Sequence, residues 1–417
     1  MMRKQVKRKK YSMMVFGALA IFFTGYPHIW SVYSPYVMDI TGWTAGQTSM
    51  CFYLTLLFFV IGNIVGGRIQ DKSNPIKVLS IGGFIQAAGV FGSAFLLNSN
   101  PLPMYLAFGV LQGFGQGMIY TVILATAQKW FPDKKGFATG VVSTANGLCG
   151  FFLAPLSERI LVGYGPKNAL MVIGVLMAVA WILSSIFVKV PEGSQQVQSA
   201  EVEPDYKMLS EQYQYSAKEM IKSRKFYLLV ATMMCGLISY FLVSPNARTL
   251  QLERGVAPSI AVTAVMVGSV MNAGTRLILP TLADRVGRSL CIKMVMVVSF
   301  LTMTSLVFSQ SYITTIGVII MYGCYGGIMG SFPSFTSSIF GTAHSGENYG
   351  YVMSGVVIAT LGAPAITSGI LGVGKGMELV FGIGAGCALF GLVTIIILDK
   401  ELGNKRVKQN TILETEV

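Results

Sequence analysis

The stretch Asn272-Ala273-Gly274-Thr275-Arg276-Leu277-Ile278-Leu279-Pro280-Thr281-Leu282-Ala283-Asp284-Arg285-Val286-Gly287-Arg288 closes an apolar segment that begins near Pro258, and it carries a guanidinium where hydrocarbon is expected. The polar run from Asp284 to Arg288 marks where the segment leaves the bilayer. Arg276 lies two helical turns before Asp284, about 12 Å along the axis, which is near the middle of a hydrocarbon core roughly 30 Å thick. A charged side chain at that depth costs about 2.5–3.5 kcal/mol on insertion scales. An aqueous cavity and an anionic partner would offset that cost, so Arg276 is the leading candidate for an anion-binding residue.

Working outward, the whole chain reads as membrane protein. Its 417 residues are 53% hydrophobic and 12% charged, a balance foreign to soluble globular domains. Twelve apolar spans of membrane length follow one another at about 13–38, 46–66, 77–97, 102–127, 137–159, 168–189, 226–245, 258–283, 290–309, 313–338, 348–371 and 376–398. Each is long enough to cross as a helix, and none alternates as a barrel strand would, so the predicted fold is an all-α membrane protein. Of the 31 Lys and Arg, 25 fall in segments that lie inside if the amino terminus is cytoplasmic. Five lie outside (Arg159, Lys167, Arg248, Arg254 and Lys375), and Arg276 is the remaining one. This bias places both termini in the cytoplasm of a multi-pass cell-membrane protein. It also accounts for the net charge of +13 through topology and anionic lipid, with the bilayer as partner and no reason to invoke nucleic acid.

The basic start is followed by more than twenty apolar residues without an Ala-x-Ala site and by eleven further spans, which argues against a cleaved signal. The six cysteines, at 51, 149, 235, 291, 324 and 387, show no close pairing and read as packing residues with no disulfide or metal role. No cofactor is called for.

One long inside loop divides the chain. Residues 1–189 form a predicted N-terminal six-helix bundle, 190–225 a cytoplasmic inter-bundle loop, and 226–417 a C-terminal six-helix bundle with a cytoplasmic tail. The first part of the loop, Glu192 to Asp205, is rich in Gln, Glu and Ser and is expected to be disordered. Its second part, Tyr206 to Arg224, is expected to form a short helix on the membrane surface. Asp71, Gly113 and Gly117 each have an identical residue 213 positions later, at Asp284, Gly326 and Gly330. Each matched residue falls at the same place in its half, and glycines four apart let helix backbones approach closely in lipid. The expectation is two pseudo-symmetric bundles with a midplane site between them.

With these features in place the sequence resembles the major facilitator superfamily. Gly66-Gly67-Arg68-Ile69-Gln70-Asp71-Lys72 and Leu282-Ala283-Asp284-Arg285-Val286-Gly287-Arg288 look like its loop signature after spans two and eight, the first copy lacking the trailing Gly-Arg. A narrower resemblance, to the oxalate/formate antiporter family close to the monocarboxylate transporters, rests on four stretches. They are Trp30-Ser31-Val32-Tyr33, Lys129 to Gly136, Asn272 to Arg288, and Asn348-Tyr349-Gly350. The resemblance implies that Arg276 binds the substrate anion. Oxalate carriers add a lysine in the eleventh span, and no Lys or Arg lies between Asn348 and Leu371 here. Proton-coupled monocarboxylate transporters place an aspartate one turn before the arginine, where this chain has Asn272.

All eighteen Asp and Glu map to loops, tails or span ends, so no midplane carboxylate is available to carry a proton. His28, in the first span, could carry one or add a second positive charge, or simply sit neutral against a backbone carbonyl. Arg276 offers a planar fork that matches a carboxylate. Tyr26, Trp30 and Tyr33 recur at i, i+4 and i+7 and so share a helix face, which serves either packing or the cavity. The resemblance implies that the first, fourth, seventh and tenth spans line that cavity. Tyr120, Tyr240, Tyr322 and Tyr325 are therefore further candidates, with Asn146 in the fifth span. Asp71 and Asp284, with Arg68, Arg285 and Arg288, are the candidate gating residues: each carboxylate could cap a neighbouring helix or pair with an arginine, or merely anchor its span.

The residues together predict alternating-access transport of a small carboxylate, formate-, lactate- or pyruvate-like or else oxalate-like, by anion exchange. Proton symport through His28 or the substrate is the alternative, and a non-transporting nutrient receptor on the carrier fold is the alternative of another class. An enzyme would need a nucleophile or metal constellation, which two histidines without a His-Glu-x-x-His pattern do not supply.

Overall fold

The computed structural model describes residues 2–189, 214–244, 247–372 and 376–415. Among these residues all regular structure is helical, with no strand. Ten stretches are long and apolar enough to cross a membrane. One of them, within the helix Lys135–Phe187, holds both the fifth and the sixth spans, which meet at a bend where Gly165 adopts φ 77° just before Pro166. The helix Pro258–Val286, which carries Arg276, completes the twelve.

Several spans depart from a plain helix. Span 1 is a helix, Met2–Phe22, then a 3-10 segment, Phe23–Ile29, then a helix, Trp30–Thr41. The tightening has two local causes. Pro27 removes a backbone donor, and Gly25 lets the chain lie on span 5, where a β-carbon would come within 2.3 Å of the Asn146 carbonyl oxygen. Span 4 opens with π winding over Tyr105–Gln112 before the helix Gly113–Trp130. Span 11 consists of Ser345–Val352 and Ser354–Gly372 with a break at Met353, and span 12 runs as one helix, Met377–Thr415, well past the expected end near 398. Residues 190–213, which include the segment expected to be disordered, lie outside the described residues. The helix expected over Tyr206 to Arg224 is described only as Ala217–Ile221, which a Ser216–Glu219 capping box starts. Ala217 and Met220 are buried against the protein, and Lys218 and Glu219 are exposed.

The repeated glycines explain the pseudo-symmetry physically. A β-carbon on Gly113 would lie 2.4 Å from the Thr55 carbonyl oxygen, and one on Gly117 would lie 2.0 Å from that of Phe59, so span 4 rests directly on span 2, Ala45–Lys72. In the other half a β-carbon on Gly326 would lie 2.2 Å from the Asn272 carbonyl oxygen, and one on Gly330 2.8 Å from that of Arg276. Span 10, Tyr312–Phe340, thus rests on span 8 in the same way. Because these neighbours are backbone atoms they cannot turn aside. Gly117→Leu is expected to cost at least the 1–3 kcal/mol typical of overpacking, read as a clear drop in the thermal unfolding temperature of the purified protein. A control such as Gly92→Ala, where an added β-carbon meets nothing within 4 Å, should leave that temperature unchanged.

Candidate functional site

Span 8 holds Arg276 with its side chain 1% exposed. One turn earlier on the same face, Asn272 accepts a hydrogen bond on Oδ1 from Arg276 Nε at 2.9 Å. This bond fixes the plane of the guanidinium and leaves its outer edge to other partners. Both terminal nitrogens, Nη1 and Nη2, are buried without a hydrogen-bond partner. The guanidinium carbon sits 5.3 Å over the ring of Tyr325, which supplies a cation–π contact. No ion pair to Arg276 is present among the described residues. A buried donor left unmade costs about 1–3 kcal/mol, and more when charged; the groups near the fork are the neutral hydroxyls of Tyr120 and Tyr325, so it is poised for an anionic acceptor.

One turn away along span 8, at Asn272, lies the wall of a cavity of about 320 Å³, which Arg276 itself does not line. His28, Trp30, Asn146, Tyr240, Asn272 and Tyr322 are among its lining residues, which brings together side chains from both halves of the chain. Tyr325 does not line the cavity directly and is buried behind it. Its ring stacks on Tyr240 at 4.2 Å, and its hydroxyl lies 3.4 Å from His28 Nε2. Tyr240 meets Tyr322 edge-on at 5.2 Å, and Asn146 donates from Nδ2 to Thr24 Oγ1 at 3.0 Å. Tyr120, from span 4, is buried with its hydroxyl beside both the guanidinium and the Tyr349 hydroxyl. Tyr349, at the start of span 11, is likewise buried and within electrostatic reach of the guanidinium.

The aromatic stripe of span 1 is real as a helix face but mostly faces elsewhere. Tyr33 donates its hydroxyl to Ser157 Oγ at 2.8 Å, and Tyr26 packs edge-on to Tyr33 and against Phe108. Both are fully buried in the core of the N-terminal half, so they pack spans 4 and 5 and do not line the cavity. Trp30 alone of the three reaches the wall, its indole nitrogen donating to the Thr48 carbonyl at 2.9 Å.

The Asp284 end of the structure is closed. Asp284 accepts from the backbone nitrogens of Gly136 at 3.3 Å and Phe137 at 3.1 Å, at the start of span 5, and from Arg288 Nη2 at 2.7 Å. It thereby caps a helix amino terminus across the two halves. Arg68 makes the related contact from span 2 to span 11, bonding Glu347 Oε1 at 2.8 Å and the Tyr351 hydroxyl at 2.6 Å. Arg285 is exposed, and the Asp71 side chain lies outside the described residues. The two contacts differ in strength. The Arg68 side chain is 51% exposed, so its pair is worth about 0–1 kcal/mol after screening. Asp284 is largely buried and satisfies two backbone donors that have no helical partner. Above it, spans 5 and 8 touch backbone to backbone. A β-carbon on Gly136, Gly140 or Gly147 would come within 2.3–2.9 Å of Pro280, Arg276 or Ala273 respectively.

Glu347, Tyr349 and Tyr351 were not singled out as functional from the sequence, although Tyr349 stood within a motif quoted for its resemblance. The signal that could have found them is the polar first turn of span 11, which faces the signature loop of span 2.

Comparison with known proteins agrees with this architecture. The family model of the Major Facilitator Superfamily matches residues 14–364. The chain is 26% identical over 341 residues to the oxalate:formate antiporter of Oxalobacter formigenes, covering 81% of this chain and 79% of that one. It is 29% identical over 133 residues to monocarboxylate transporter 11 of Homo sapiens, covering 32% of this chain and 28% of that one. Among solved structures, the transporter FucP in its outward conformation superposes with a TM-score of 0.71 at 12% identity, over 94% of this chain and 99% of that one.

Proposed function

Because this chain belongs to the Major Facilitator Superfamily, we propose that it carries small organic carboxylates by alternating access, exchanging one anion for another. Residues 1–189 and 226–417 are the two bundles, joined by 190–225, with both termini cytoplasmic. The observation that carries the reading is the buried fork of Arg276, which has no acidic partner among the described residues. A carboxylate placed there would accept two parallel charge-assisted hydrogen bonds, with the hydroxyls of Tyr120 and Tyr325 beside it. The similarity to an oxalate:formate antiporter supports the same class of cargo.

Exchange follows from the charge balance of the site. An empty carrier must rock with an uncompensated guanidinium in its low-dielectric core, which is costly. A loaded carrier rocks with that charge neutralised. The two contacts at the Asp284 end hold the cytoplasmic side shut while the cavity beside Asn272 is the vestibule for cargo.

Purified protein in liposomes preloaded with formate, lactate, pyruvate or oxalate is expected to take up labelled formate about tenfold faster against at least one of these acids than against empty vesicles. This stimulation should need no pH gradient. Uptake driven only by a pH gradient would replace exchange by proton symport, and absence of uptake with every acid would favour a receptor.

A further inference from the structure

His28 is the one residue lining the cavity that can become cationic, and its placement relates it to Arg276, which is buried behind the wall. It sits in the 3-10 segment Phe23–Ile29, with its ring 5.8 Å from the ring of Tyr325 and its Nε2 3.4 Å from the Tyr325 hydroxyl. The guanidinium carbon of Arg276 lies 5.3 Å from that same ring. Imidazole and guanidinium, one from each half of the chain, therefore flank a single phenol. The titratable or charged groups that face His28 are Tyr53 from span 2, Tyr240 from span 7, Arg276 from span 8, and Tyr322 and Tyr325 from span 10. Span 5 lines the cavity with Asn146, Gly147, Gly150 and Ala154, none of which titrates. No Asp or Glu lines the cavity among the described residues. An imidazolium there has only the cargo to neutralise it.

Resting on the carboxylate-carrier reading above, we infer that His28 matches the charge of the cargo, so that a monocarboxylate travels with a neutral imidazole and a small dicarboxylate travels with a proton on His28. In both cases the loaded site is neutral. One guanidinium faces one carboxylate, or guanidinium and imidazolium together face two. A dianion held by Arg276 alone would leave one negative charge uncompensated at low dielectric, the same obstacle that an empty site presents to rocking. Histidine suits the role because its ordinary titration lies near neutrality, so it can take a proton where the dianion enters and release it where the dianion leaves. The Tyr325 hydroxyl, between the two cations, can donate to either carboxylate. Exchange of a dianion plus its proton for a monoanion then moves no net charge across the membrane.

The test uses formate-loaded liposomes containing wild-type protein, His28→Gln or His28→Lys. Uptake of labelled oxalate and of labelled formate is measured between about pH 5.5 and 7.5, where an ordinary imidazole titrates, and at more acid pH, with and without an imposed potassium-diffusion potential. In the wild type the ratio of oxalate to formate uptake should rise roughly tenfold on acidification, and neither rate should respond to the potential. His28→Gln should lower that ratio at acid pH by about tenfold and flatten its pH profile, and the residual oxalate exchange should become potential-sensitive. His28→Lys, with a fixed charge, should restore the ratio while leaving it independent of pH. If His28→Gln kept the wild-type pH profile, or if wild-type oxalate exchange responded to the potential, the charge-matching role would be overturned. Loss of formate exchange in the wild type itself would instead overturn the carrier reading on which it rests.

Discussion

Arg276→Lys is expected to lose at least about a hundredfold in carboxylate exchange while the protein still folds. The native guanidinium spends one donor on Asn272 Oδ1 at 2.9 Å and holds two more in a plane for the cargo. A lysine ammonium retains the charge but cannot keep the Asn272 bond and present a parallel pair as well. Each charge-assisted hydrogen bond lost is worth about 1.5–3 kcal/mol, so losing one or two together gives a factor of this size. Removing a partner from Asn272 is a small structural loss, and the cation–π contact with Tyr325 can be kept by an ammonium. Thermal unfolding should therefore shift by only a few degrees. Initial exchange rates in liposomes check the result, and a rate within threefold of wild type would remove the two-pronged role from this residue.

The second large effect is expected at the closed end. Asp284→Asn keeps the size of the side chain but replaces one acceptor oxygen by an amide donor. Oδ1 serves Gly136 and Arg288, and Oδ2 serves Phe137, so either orientation of the amide sets a donor against a donor. The part carried by Gly136 and Phe137, about 2–4 kcal/mol for bonds to a charged acceptor, falls on the closed form alone because those two bonds join the halves, whereas the Arg288 bond lies within one half. The population closed at this end should drop by a factor of roughly 30 or more, and the exchange rate by about tenfold, whereas equilibrium binding of the carboxylate should persist. Calorimetric binding set beside transport rates separates the two quantities. An unchanged rate would mean that Asp284 only anchors its span.

How much of this was legible in the residues depends on the physics that each feature expresses. The spans were legible because about twenty consecutive apolar residues are a property of local composition, which neighbours do not alter. Arg276 stood out for the same reason in reverse. The glycine repeats were legible as close-approach sites, and the structure puts span 2 against Gly113 and Gly117 and span 8 against Gly326 and Gly330. What periodicity leaves open is azimuth. The stripe of Tyr26, Trp30 and Tyr33 defined a helix face correctly, but whether that face meets span 5 or the cavity depends on how the bundle is assembled. Only Trp30 reaches the cavity. The partner of Arg68 was illegible for a related reason. Glu347 lies 279 residues away, and a tally of acids at span ends says nothing about which ends meet. The 3-10 turn that presents His28 was marked by Gly25 and Pro27, but its tight contact with the Asn146 carbonyl is tertiary.

The seam between spans 5 and 8 carries a kinetic implication. Gly136, Gly140 and Gly147 bring backbone against backbone, so at these three positions the two halves meet without an intervening side chain, and Thr144 adds a hydroxyl bond to the Ala273 carbonyl. Closing such a seam freezes few rotamers, and opening it frees few, which spares the rotamer-ordering entropy of about 1–2 kcal/mol for each long side chain. The energy difference between open and shut is then left to a small number of polar contacts at the rim, Asp284 foremost. A molecule built this way can turn over quickly and still be steered by what occupies its centre.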